Sequence, residues 1–225
     1  MNSPSSLPGI RLLLLGATGL VGSRVLELAL ASSAVGTVIA PTRKPLPLHS
    51  ANREKLVNML IDFDAPDQDD LRWRVDAVIC ALGTTIKKAG SREVFRQVDY
   101  DYPLTFARLA RTHGATVFAL TSAAGADPTS RFFYNRVKGE LEEALVREQF
   151  SSLTFVRPGV IGGARAEARP TEMALKLALT LLAPVLPRRW QLNPAVEIAA
   201  RLLEAVITPQ HGVNIVLAAE MTSKR

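Results

Sequence analysis

The sequence predicts an α/β fold built on one doubly wound parallel sheet, and three observations predict it. Short apolar runs bounded by Gly, Pro or Asp alternate with longer stretches of helical period. Several of the runs contain no polar residue, as strands of a parallel sheet covered on both faces should not. The chain has 225 residues, 48% hydrophobic and 21% charged, which suits one core better than two and excludes a disordered chain. Residues 1–225 are therefore read as a single domain.

The elements follow in order. Met1–Gly9, with three Ser, two Pro and no basic residue, reads as a flexible leader rather than an export signal. Ile10–Leu15 is the first strand, too short to span a membrane. It runs into Gly16-Ala-Thr18-Gly19-Leu20-Val21-Gly22, and Leu20–Ala31 has helical period. Gly16 permits the turn off the strand, Gly19 lets a pyrophosphate reach the backbone, and Gly22 allows the helix to pack closely. The helix N-terminus then offers free N–H groups and a positive dipole end to phosphates. Strand, glycines and helix in this sequence mark a Rossmann dinucleotide site, with Thr18, Leu20 and Val21 lining it.

Thr37–Ala40 is the second strand. An NAD enzyme usually carries an acidic residue at its end to hold the ribose 2′-OH. Here Ala40-Pro-Thr-Arg43-Lys44 offers two cations and no carboxylate. Arg43 suits a 2′-phosphate and Lys44 adds a point charge, so NADP(H) is expected over NAD(H). After the third strand, Leu56–Ile61, Asp62 can accept from an adenine amino group, with Phe63 beside it. Asp67–Asp70 reads as a solvated or N-capping acidic run. After the fourth strand, Val75–Ala81, the small residues Ala81-Leu82-Gly83-Thr84 leave room for a ribose. Cys80 reads as a small buried apolar residue, and as the lone cysteine it points to a reducing, cytoplasmic setting.

Arg92–His113 is read as one helix and Thr116–Thr121 as the fifth strand, with Ser122 at its C-terminal end. Tyr134–Gln149 is the next helix, and its Tyr134 and Lys138, four apart, share a face. A neighbouring ammonium favours the phenolate and prepares a tyrosine for proton exchange with a carbonyl or alcohol. Thr154–Arg157 and Val213–Leu217 complete the strands, and Thr171–Leu182 and Pro194–Ile207 the helices. The proline-punctuated stretch after Gly159, about 160–225, is read as contributing a small C-terminal substrate-side cap. His49, His113 and His211 lack metal-ligand spacing, and no metal is expected. Trp73 and Trp190 read as packing residues.

These pieces together resemble the short-chain dehydrogenase/reductase superfamily. Within it, Cys80-Ala-Leu-Gly-Thr-Thr85, Lys88-Ala-Gly90, Val98-Asp-Tyr-Asp-Tyr102, Gly125-Ala-Asp127, Phe133-Tyr-Asn-Arg-Val-Lys-Gly-Glu140, Arg157-Pro-Gly-Val160 and Glu167-Ala-Arg-Pro170 are similar to the Tat-interacting-protein-like oxidoreductases. The likeness spans about residues 10–170. It implies NADP(H) on a Rossmann core, Ser122 as the carbonyl-polarising hydroxyl, Tyr134 as general acid/base, and Lys138 as its modulator and ribose ligand. It also sets Pro158 and Val160 beside the nicotinamide. One departure stands out: there is no asparagine between Asn58 and Asn135 to support the superfamily's proton relay, and Asp99 is the candidate for comparable space.

Two functions remain open on the sequence. One is an NADP(H)-dependent oxidoreductase acting on a small carbonyl or alcohol. The other is a cofactor-sensing regulatory protein that turns nothing over and acts through a protein partner. Apolar helices such as Met173–Leu186 allow a homodimer. The net charge of +6 is scattered without a basic stripe or aromatic platform, so neither nucleic acid nor a membrane is expected as partner.

Overall fold

The computed structural model describes residues 9–46, 53–162 and 192–221. Seven parallel strands form one sheet in the order β3-β2-β1-β4-β5-β6-β9. They are β1 (Ile10–Leu15), β2 (Val35–Thr42), β3 (Leu56–Leu60), β4 (Ala77–Cys80), β5 (Val117–Thr121), β6 (Ser152–Arg157) and β9 (Gly212–Leu217). The short strands β7 (Val160–Gly162) and β8 (Leu192–Pro194), which the sequence reading missed, pair separately. The strand order reverses between β1 and β4, which is where open α/β sheets leave a crevice for ligands.

The helices are α1 (Leu20–Ala31), α2 (Ile86–Ala89), α3 (Arg92–Arg96), α4 (Tyr102–Thr112), α5 (Phe133–Arg147) and α6 (Ala195–Ile207). The alternation of strand side chains divides the core in two. Leu12, Leu14, Val38, Ile79 and Ala119 pack against α1 and α6. Leu13, Leu15, Val78, Phe118 and Phe155 pack against α4 and α5. Four consecutive leucines in β1 are fully buried because a central strand is covered on both sides.

One expectation is corrected. The helix read as Arg92–His113 is interrupted by a π-helical turn, Gln97–Asp101. Pro103 has no N–H to give the Asp99 carbonyl, and the Tyr102 N–H bonds instead to Gln97, five residues back. Of the stretch 160–225, the described part includes α6, which packs on one face of the sheet, and β9, its edge strand. The Thr171–Leu182 helix, Met173–Leu186, Glu167–Pro170, Trp190, His49 and most of the 1–9 leader lie outside the described residues.

Candidate functional site

The glycine loop closes around its own backbone. Gly16 has φ +83, and a Cβ there would meet the Ala81 carbonyl at 2.7 Å, so the β1 and β4 loops touch. Gly19 caps α1, and its N–H donates to the Gly16 carbonyl at 2.9 Å. At Gly22 a Cβ would fall 2.0 Å from the Gly16 carbonyl oxygen. Thr18 is exposed, Leu20 half-buried and Val21 buried beneath the turn. These glycines form a cradle that side chains would fill, which is what a pyrophosphate approaching the α1 N-terminus requires.

Beside it, Arg43 and Lys44 are exposed directly after β2. Asn58, which the sequence reading passed over, fixes their loop. It donates to the Ala40 carbonyl and Thr42 Oγ1, at 2.9 and 2.7 Å, and accepts from the Leu46 N–H. Asp62 is exposed and accepts from the Asp64 N–H, whereas the Phe63 ring turns into the core against Phe106. Asp64 accepts from Tyr102 Oη and Gln97 Nε2, both at 2.7 Å. Burial, and then the Asp64 carboxylate, push the Tyr102 phenol up to about 12.

Helix α5 carries the second half of the site. Tyr134 is exposed, with its ring against Phe95, and one turn on Lys138 is buried. Lys138 Nζ lies 2.8 Å from Asp99 Oδ1, and Asp99 Oδ2 accepts from the Thr84 N–H at 2.8 Å. Burial opposes the Lys138 charge, yet Asp99 and then Tyr134 hold its ammonium above the ordinary lysine range. A Cβ on Gly83 would stand 3.4 Å from Asp99 Oδ1 and 4.0 Å from Lys138 Nζ, so the Ala81–Thr84 loop lies over this ion pair.

Ser122 stands differently from its expected role. It is buried, and its hydroxyl donates to Glu142 Oε1 at 2.5 Å. Glu142 in turn takes a two-pronged grip from Arg157, with Nε at 3.0 Å. The network joins the ends of β5 and β6 to α5. Glu142 follows Tyr134 and Lys138 at the same four-residue spacing, a charged position on a helix face that otherwise buries Val137, Leu141 and Leu145. That spacing was the available signal for it.

Pro158 is buried and Val160 exposed, on a segment fixed by two backbone bonds. The Pro158 carbonyl accepts from Ala124, and the Gly159 N–H donates to Asn193 Oδ1 at 2.8 Å. Fully buried Asn193 also donates to the Ala218 carbonyl. Cys80 is buried in β4, where burial pushes its thiol up to about 12. Among the described residues no cluster of His, Cys, Asp or Glu could hold a metal, and no helix is long and apolar enough to cross a membrane. His113 bonds to the Gln68 carbonyl, and Asp70 caps the turn Leu71–Trp73 that holds buried Trp73.

Known proteins share the sequence family and the fold of this chain. A family described as NAD(P)H-binding matches residues 16–172. The "Protein HTATIP2" of Rattus norvegicus is 33% identical over 203 residues, covering 88% of this chain and 82% of that protein. The Aspergillus niger "Protein fmp52, mitochondrial" is 37% identical over 167 residues, covering 72% and 71%. Among solved structures, MoeE5 in complex with UDP-glucose and NAD superposes with a TM-score of 0.67 at 14% identity, covering 92% of this chain and 75% of that one. A putative NAD-dependent epimerase/dehydratase from Bacillus halodurans gives 0.64 at 17%, covering 94% and 98%. These structures share the fold of the described sheet.

Proposed function

From its membership of the NAD(P)H-binding family, to which this chain belongs, we propose that it is an NADP(H)-dependent oxidoreductase of a small carbonyl or alcohol substrate. One observation carries the reading. Tyr134, open to solvent, stands one helical turn from Lys138, and Lys138 lies under the Gly83 loop of the dinucleotide cradle. A nicotinamide, when bound, supplies or accepts the hydride. The chain does the rest: Gly16, Gly19 and Gly22 admit the pyrophosphate, Arg43 and Lys44 meet a 2′-phosphate, and Asp62 faces the adenine end. Ala81, Leu82, Gly83, Thr84, Pro158 and Val160 would flank the ribose and ring of the bound cofactor. Tyr134 Oη gives a proton to the substrate oxygen in reduction and takes it back in oxidation, while the Lys138 ammonium steadies the charge left on it.

In this reading Ser122 reaches a carbonyl only by turning its hydroxyl away from Glu142. That bond favours a second reading, a cofactor-sensing protein without turnover that acts through a protein partner. The lone buried cysteine suits any reducing compartment; the cytoplasm is one, and the names of the fungal relatives point to mitochondria.

The test is NADPH oxidation with a panel of small aldehydes and ketones, wild type against Tyr134→Phe. Loss of a positioned acid/base should lower turnover by roughly 10²- to 10⁴-fold while NADPH still binds. Turnover unchanged in Tyr134→Phe removes the catalytic assignment, and NADPH binding without any turnover selects the sensor.

A further inference from the structure

We propose that Asp99 is a positioning residue: it holds Lys138 as an ammonium at a fixed point beneath the cofactor loop and clamps that loop through Thr84. The proposal rests on Tyr134 and Lys138 being the reacting pair. Its geometry stands on three observations. Asp99 Oδ1 lies 2.8 Å from Lys138 Nζ, with the two side chains 1% and 3% exposed. Its other oxygen takes the Thr84 N–H at 2.8 Å. Gly83, between the loop and the pair, has no side chain to hold them apart, and its Cβ position is 3.4 Å from Oδ1.

The π-helical turn at Gln97–Asp101 belongs to the same device, since Asp99 is the residue of that turn that is buried. The groups acting on Lys138 are Asp99 from the turn, Tyr134 from its own helix and Cys80 from β4. Cys80 stays a neutral thiol, because burial pushes it up to about 12, so Asp99 is the carboxylate among them. A buried ammonium without that partner would lose its proton readily, because desolvation disfavours the charged form. With Asp99 present the pair is neutral overall, and the charge next to Tyr134 does not vary through the physiological pH range. The single carboxylate thus ties the state of the proton-transfer helix to the position of the Ala81–Thr84 loop.

The experiment is NMR of protein labelled at lysine Cε, titrated with pH, with the Lys138 signal assigned by comparison with Lys138→Arg. In wild type the signal should keep its ammonium shift past the ordinary lysine value of about 10.4. In Asp99→Asn, which keeps the shape and an acceptor for Thr84, it should move to the amine at least about one pH unit lower, tenfold weaker in proton affinity. NADPH affinity of the variant should fall over that same interval and stay level in wild type. Identical Lys138 titrations in the two proteins overturn the proposal. So does a wild-type Lys138 that loses its proton below the ordinary value, a result that needs no variant to fold. The lysine signal reads Asp99 whether or not the protein turns anything over, whereas absent NADPH binding in wild type would sink the functional reading alone.

Discussion

Arg43 leaves β2 with no ion pair among the described residues, next to Lys44 and at the end of a strand that Asn58 has stitched in place. A guanidinium held at its backbone but open at its head is suited to grip a 2′-phosphate with paired charge-assisted bonds. Arg43→Ala should therefore weaken NADPH binding about 10- to 100-fold, the worth of hydrogen bonds to a charged group. NADH, which has no 2′-phosphate, should bind roughly as before. Calorimetric titration of both proteins with both cofactors checks this, and equal losses for NADPH and NADH would dissolve the argument for NADP(H). Asn58 supports Arg43 from β3, sixteen residues away from Thr42, and no local pattern in the sequence could announce that partnership.

The β1–loop–α1 unit makes a prediction that separates two glycines. A methyl at Gly22 would sit 2.0 Å from the Gly16 carbonyl oxygen and 2.7 Å from its carbon, both backbone atoms, so α1 must move off the loop. Gly22→Ala should cost about 1–3 kcal/mol in urea unfolding and abolish cofactor binding together with it. Gly19 has φ −78, and its Cβ would come no closer than 3.3 Å to the Gly16 oxygen. Gly19→Ala should lose less stability than Gly22→Ala while NADPH affinity drops, and equal destabilisation of the two variants would refute the division. This unit was legible in the sequence because its spacing is local: Ile10–Leu15 and Leu20–Ala31 have the limits expected of them. β2 runs from Val35 to Thr42, longer than the Thr37–Ala40 expected from the sequence, where Pro41 looks like a breaker. Pairing with β1 ends at Ile39, so at Pro41 no ladder donor is missed on that side. The π turn was legible in principle through Pro103, but the apolar spacing on either side of it reads as one helix. The site divides the same way. Tyr134, Lys138 and the glycines announce themselves by spacing, whereas Ser122–Glu142–Arg157 and Asn193 depend on which strand ends the fold brings together.

At the scale of the whole molecule, the centre of the sheet makes stability depend on alkaline pH. Cys80 lies in β4, between β1 and β5, with no exposed surface, so its thiol meets water only when the sheet opens. Burial raises it from the ordinary 9.0 to about 12. Below 9.0 the folded and unfolded chains both keep the proton and nothing is lost. Above it the unfolded chain gives the proton up while the folded chain cannot, so stability falls until about pH 12. The whole interval corresponds to an upper bound of about 4 kcal/mol. Lys138 acts in the same direction. Its folded ammonium is held above the ordinary lysine value, so its contribution is complete below that value and is lost as pH rises through the folded one. Tyr102, raised from 10.0 to about 12, adds to the loss at the rim. Urea midpoints should then fall steeply between about pH 9 and pH 12 in wild type. Cys80→Ala leaves a small cavity and starts from a lower midpoint, but should lose less over the same interval because the unfolded state no longer gains by ionising a thiol. Parallel lines for the two proteins would mean that Cys80 contributes nothing to the slope, and the alkaline loss would then belong to Lys138 and Tyr102.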